Sequence, residues 1–100
     1  MPRFNANSGV IINKTIAVPG TAEQLAQHFI PDGLSVQLKA DIDNTGNVFI
    51  GFSQAGAQGT ARIQLISGES ITLNIDSLDR IWMDADGASD KLDITILKQG

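Results

Sequence analysis

Three groups of residues in this sequence could do chemistry, and each lacks something the chemistry needs. Asp41-Ile-Asp43-Asn-Thr45-Gly46 has the spacing that opens an EF-hand calcium loop. Such a loop closes on a bidentate carboxylate at its twelfth position, and the residue standing there is Phe52. The same residues make a turn, because Asn and Gly accept positive φ at little cost. Asp84-Ala-Asp86-Gly87 with Asp90 is a second acidic group, and six of the eleven acidic residues fall between Asp76 and Asp93. Loop carboxylates can hold Ca²⁺ or Mg²⁺. With Arg80 and Lys91 close by, the simpler reading is a solvated acidic turn. His28 is the only histidine and there is no cysteine, so a zinc site would need scattered carboxylates to complete it. Gly51-Phe-Ser53-Gln-Ala55 approaches the G-x-S-x-G of serine hydrolases, but it lacks the last glycine and follows a strand-like run rather than opening a helix. The expectation is a protein with no catalytic, cofactor or metal site, and not an enzyme.

Binding chemistry rests on the aromatic residues: one Trp, four Phe and no Tyr. That is sparse for glycoside cleavage by paired carboxylates or for a carbohydrate-binding module, both of which use flat aromatic platforms. Phe49 lies on the opposite parity to Val48, Ile50 and Phe52, and Trp82 on the opposite parity to Ile81 and Met83. If both point out of the fold they are candidate anchors of a subunit interface, where aromatics are enriched. Otherwise they pack beneath a loop, or a bulge swaps the parity. Phe4 is the one large apolar group in the polar lead 1–9. That lead is either a frayed terminus or an arm that Phe4 anchors on a neighbouring subunit.

The elements that must position these residues are short strands. From Val10 to Val18 the even positions 10, 12, 16 and 18 are apolar, with Lys14 interrupting, and Pro19-Gly20 closes the run. Thr21 with Gln24 fits a capping box and Leu25 with Phe29 a helical spacing. Residues 21–30 therefore read as a short helix or as an irregular strand. Leu34, Val36, Leu38, Ala40 and Ile42 alternate strictly with polar residues; Asp43–Gly46 turns; Val48, Ile50 and Phe52 continue. This predicts a hairpin between 34–42 and 47–52. A loop over 53–60, short strands around Ile63–Leu65, Ile71–Ile75 and Ile81–Met83, and a last strand at Leu92–Ile96 follow. About seven or eight strands with turns every 8–12 residues predict an all-β protein, an antiparallel β-sandwich or small jelly roll. The organisation expected is an N-terminal arm over 1–9 and a single domain over 10–100.

Composition sets the outer limits. One hundred residues, 42% hydrophobic and 18% charged, suit one globular domain. The net charge is −4 and the seven Lys and Arg are dispersed along the chain, against the clustered cations that nucleic-acid binding requires. No unbroken apolar run exceeds three residues, so a membrane-spanning helix is not expected, and the N-terminus lacks the apolar core of a secretory signal.

Three segments carry a resemblance: Asn44-Thr-Gly46-Asn-Val48-Phe-Ile50-Gly51, Ser67-Gly-Glu69-Ser-Ile71-Thr-Leu73, and Ile75-Asp-Ser77-Leu-Asp79-Arg-Ile81-Trp-Met83-Asp-Ala85. Together with their spacing, over roughly residues 10–98, they resemble small structural proteins of tailed bacteriophage virions. Those proteins carry an "NTGNVYIG" turn-strand, a "PGES(I/V)TL" turn-strand and an "IDxLxxIYVDA" segment. Ser67 stands where that family often has Pro, and Trp82 stands where an aromatic is usual. The resemblance implies a β-sandwich without catalytic residues. Its role would be that of a capsid decoration or cement protein on the outer surface of the head, at the particle surface. Expected partners are the major capsid protein or other virion subunits and copies of itself, as a dimer or trimer. A tail or baseplate subunit, or a carbohydrate-binding module for host attachment, are the alternatives. An exposed Trp82 flanked by Asn, Gln or Asp would favour sugar, whereas a Trp82 covered by another chain would favour assembly.

Overall fold

Apolar alternation along so many short segments leaves each strand one face to bury, and two sheets facing each other bury it. The computed structural model, which describes residues 9–31 and 33–98, has that architecture. Among the described residues there are eight strands: β1 (Gly9–Thr15), β2 (Glu23–Gln24), β3 (Leu34–Ala40), β4 (Val48–Gly51), β5 (Ile63–Leu65), β6 (Ser70–Leu73), β7 (Trp82–Ala85) and β8 (Lys91–Lys98). One short helix, α1 (Gln54–Gln58), lies between β4 and β5, and a 3₁₀ turn spans Leu78–Arg80. The first sheet has the order β1-β8-β3-β6 and the second β2-β7-β4-β5. All pairings are antiparallel, and β1 with β8, β2 with β7, β3 with β6 and β4 with β5 pair as in one long hairpin rolled up on itself.

The core is the alternation made solid. Val36, Leu38 and Ala40 of β3 stand opposite Ile96, Ile94 and Leu92 of β8. Val48 and Ile50 of β4 stand opposite Ala85 and Met83 of β7. All ten are buried, and with Leu65 and the loop residues Ile16, Leu25, Ile30, Leu78 and Ile81 they form one cluster between the sheets. Each large aliphatic buried this way stabilises the fold by about 1.5–3 kcal/mol relative to exposure. A one-residue slip would turn a whole strand outward, so the pattern itself fixes the register.

The all-β expectation holds, with several corrections inside it. The 34–42 and 47–52 runs do not form a hairpin: β3 pairs with β6 and β8, and β4 with β5 and β7. Both runs have an apolar face, and the 41–47 connection carries the chain from one sheet to the other so that these faces meet across the core. Every connection except β4–β5 changes sheet in this way. The 53–60 segment is not plain loop, because Ser53 Oγ caps α1 by accepting from Gly56 N at 2.9 Å. Residues 21–30 form no helix: β2 and an isolated bridge between Phe29 and Ser77 place them along the β7 side of the sandwich. The expected arm over 1–9, with Phe4, falls almost wholly outside the described residues, and β1 opens at Gly9.

Candidate functional site

Because the strands are short and the connections change sheet, the loops gather at two ends of the sandwich. At one end meet the β1–β2, β3–β4, β5–β6 and β7–β8 connections. At the other meet β2–β3, β4–β5 and β6–β7. The two ends are built by different chemistry.

The first end is tied by carboxylates. Asp90 is 3% exposed. Its Oδ1 accepts from Thr45 N at 3.0 Å and Thr45 Oγ1 at 3.3 Å, and its Oδ2 from Gly46 N at 3.2 Å and Gly87 N at 3.1 Å. Asp84, also 3% exposed, accepts from Gly20 N at 2.9 Å and from its neighbour Ala85 N at 2.7 Å. Asp86 accepts from Asn47 N at 3.2 Å. The Asn44 side chain closes the connection, donating to Lys91 O at 2.8 Å and accepting from Lys91 N at 2.7 Å. Ser67 Oγ then donates to Asn44 O at 2.8 Å, adding the β5–β6 turn. Gly46 is needed for close approach, since a Cβ there would lie 2.6 Å from Asp86 Cβ.

This corrects the reading of the second acidic group as a solvated turn. Asp84 and Asp90 are buried acceptors whose charge is met by backbone N–H groups, as buried charge must be. Among the described residues no three His, Cys, Asp or Glu side chains come together as a metal-ligand group. The Asn-Thr-Gly-Asn segment is likewise no hairpin turn; it is the complement of the 84–91 loop. The available signal was the pairing of an N-T-G-N run with a D-x-D-G-x-x-D run, both offering the small residues and backbone donors that a buried carboxylate collects. Around this end stand Val18, Ile42 and Ile66, which are 58%, 74% and 54% exposed.

The second end is an open groove of about 690 Å³, lined by Phe29, Phe52 and Trp82 with Gln24, Gln27 and Asp79. Two segments make its floor, and backbone bonds pin them together: Leu25 N to Ile81 O at 3.0 Å, Leu78 N to His28 O at 3.1 Å, and Ile30 N to Asp76 O at 2.8 Å. The Gln24 side-chain amide donates to Asp79 O at 2.6 Å. Arg80 donates from Nε and Nη2 to both oxygens of Asp76, and this fork holds the Asp76 carboxylate below its ordinary range. Ser77 Oγ, buried in the groove wall, has no hydrogen-bond partner. Phe52 is placed by its neighbour Gly51, which pairs with Trp82 and packs on α1 so closely that a Cβ would stand 2.3 Å from Ala57 N.

The three aromatic anchors named from sequence thus part company. Trp82 is half-buried and lines the groove. Phe49 faces away from the core cluster, as its parity requires, but is only 4% exposed, with the Arg62 guanidinium 3.4 Å above its ring centroid. Phe4 lies outside the described residues. Phe29, at 71% exposure, and Phe52, at 59%, were not singled out; Phe29 in particular looked like half of a helical pair with Leu25. His28, half-buried in the β2–β3 connection, does not line the groove.

Comparison with solved structures gives a match at 26% identity and a TM-score of 0.53, covering 92% of this chain and 86% of the other. The matched chain comes from Bacillus endospore appendages, described as a novel family of disulfide-linked pili. No protein-family model matches the sequence, and no curated protein matches it either. The similarity therefore runs to a small β structural protein. Disulfide linkage belongs to the matched pili; the hundred residues here contain no cysteine.

Proposed function

We propose that this chain is a non-enzymatic structural subunit that assembles with copies of itself into an external, pilus-like array. The observation that carries this reading is the likeness, across nearly the whole sandwich, to a pilus-forming appendage protein. These hundred residues contain no cysteine, so no disulfide among them links the subunits. Val18, Ile42 and Ile66 at the acid-tied end supply the contacts: aliphatic side chains exposed on rigid loops lose water on contact and demand no directional partner. The net charge of −4 keeps unassembled subunits apart in solution.

A second reading is favoured by the three turn-strand segments that resemble phage virion proteins. In it the same subunit decorates the outer surface of a phage head, with the major capsid protein as partner. Both readings need a preformed scaffold repeated by symmetry.

The test is a concentration series followed by light scattering and negative-stain electron microscopy, with and without reductant. Reductant-insensitive oligomers or fibres are expected, and Ile42→Lys with Ile66→Lys should raise the concentration for assembly at least tenfold. A strict monomer at every concentration, in protein that remains folded, overturns self-assembly. Binding of that monomer to phage heads would then select the decoration reading.

A further inference from the structure

From the aromatic groove we infer a second activity, independent of assembly: this end of the sandwich binds a neutral oligosaccharide. Three of the chain's five aromatic residues, Phe29, Phe52 and Trp82, line one groove. They arrive from the β2–β3 connection, the β4–β5 connection and the first residue of β7, so no local sequence effect gathers them. Among the described residues the remaining lining is amide, carboxylate, hydroxyl and guanidinium, without an aliphatic side chain. A protein-docking pocket built on Leu, Ile or Val would exclude water and ask for nothing directional. This lining does the reverse. Ring faces accept the apolar C–H face of a pyranose, and the Gln27 amide and Asp79 carboxylate can meet its hydroxyls, which both donate and accept.

Three further features narrow the ligand. The volume lies within the roughly 300–1,000 Å³ of small-molecule sites, and the groove is open rather than closed, which suits a chain of sugars more than a single compact metabolite. Arg80 is forked onto Asp76 and also feels Asp79, so two acids outnumber one cation in the lining and an anionic glycan is disfavoured. A proline-rich peptide would also stack on the rings, but it brings few N–H or O–H donors for a carboxylate. The floor is fixed beforehand by the backbone bonds between the 24–30 and 76–82 segments, so little ordering is left for binding to supply. In an array, repeated grooves would add avidity to weak single sites.

Trp82 is the only tryptophan, so its emission reports on this groove alone. The full chain is titrated with cello-, chito-, malto- and xylo-oligosaccharides, following Trp82 emission and heat. A saturable emission change with at least one series, strengthening from disaccharide to tetrasaccharide, is expected. Phe29→Ala and Gln27→Ala alter exposed side chains that the fold does not need, and each should weaken that binding about tenfold, equivalent to ~1.4 kcal/mol. Ile42→Lys, at the other end of the sandwich, should leave it unchanged. Folded protein that responds to no series overturns the inference. So does an emission change that follows protein concentration without sugar, which gives the groove to a second copy, or saturation by a proline-rich peptide alone.

Discussion

The two ends of this sandwich hold polar and apolar groups in opposite arrangements. At the acid-tied end Asp84 and Asp90 are inside, met by backbone donors, and the apolar side chains Val18, Ile42 and Ile66 are outside, beside exposed acids such as Asp43, Glu69 and Asp86. At the aromatic end the aliphatic residues Leu25, Ile30 and Leu78 are inside, and the exposed surface mixes rings with amides and acids. Both ends are cross-linked, but by different means: side-chain acceptors tie loops at the first, and backbone bonds join the 24–30 segment to the 76–82 segment, with its 3₁₀ turn, at the second. What each surface can recognise follows from what its scaffold consumes. An end that spends its polar groups on holding itself together presents aliphatic contact, suited to another protein. An end held largely by backbone, with Gln24, Arg80 and Asp76 as its side-chain ties, can present Phe29, Phe52 and Gln27 to a ligand.

The comparison breaks first at Asp90. Replacing it with Ala strips the partners from three backbone N–H groups that lie under the loops, each costing about 1–3 kcal/mol when left unsatisfied. A loss of about 3–4 kcal/mol in chemical unfolding is expected, with assembly impaired. If the ends are independent, residual folded protein keeps the Trp82 emission of the parent. A changed spectrum would show the ends to be one coupled unit. The next largest effect lies at the other end. Gly51→Ala puts a methyl group into the backbone of α1, where overpacking costs about 1–3 kcal/mol. It should displace Phe52, alter Trp82 emission and leave self-association per folded molecule unchanged.

Much of this was legible in the sequence, and unevenly so. Strands with an apolar face on one parity, β3 and β8 above all, are written in Val36, Leu38, Ala40 and in Leu92, Ile94, Ile96, because period-two burial leaves its mark residue by residue. Which strands pair was not legible. Asn44-Thr45-Gly46 has the composition of a hairpin turn, yet its N–H groups answer a carboxylate 44–45 positions along the chain. Local propensity cannot see a partner that distant. α1 was missed for a related reason: Gln-Ala-Gly-Ala-Gln has little helical signal, and its cap, Ser53, reads equally as loop. The groove was illegible because its rings come from positions 29, 52 and 82, and only the rolled topology brings them together. Phe49 shows the limit of parity, which gave its direction but could not foresee the cover supplied by Arg62.

The smallest effect expected tests how far the acid-tied end reaches. Glu23, on the short edge strand β2, accepts from Ala17 N at 2.9 Å and from Lys14 Nζ at 2.8 Å, joining β1, the β1–β2 turn and β2. The Ala17 N–H first, and then the Lys14 ammonium, hold its carboxylate below the ordinary range. A lowered folded-state pKa means that the unfolded chain takes up the proton first as pH falls. The stability from this group is therefore complete above the unfolded value near 4.5 and is lost as pH drops through the lower, folded value. Because the pair is partly exposed, the amount is that of a surface ion pair, about 0.5 kcal/mol. Glu23→Gln should lower the melting temperature slightly at pH 7, and the difference from the parent should vanish below the carboxylate range, where both side chains are neutral. If it persists in acid, the Gln side chain has disturbed packing rather than charge. If it is absent at pH 7, the β1–β2 turn is held without Glu23, by Gly20 on Asp84, Ala22 on Gln58 and Ile16 on Asp90.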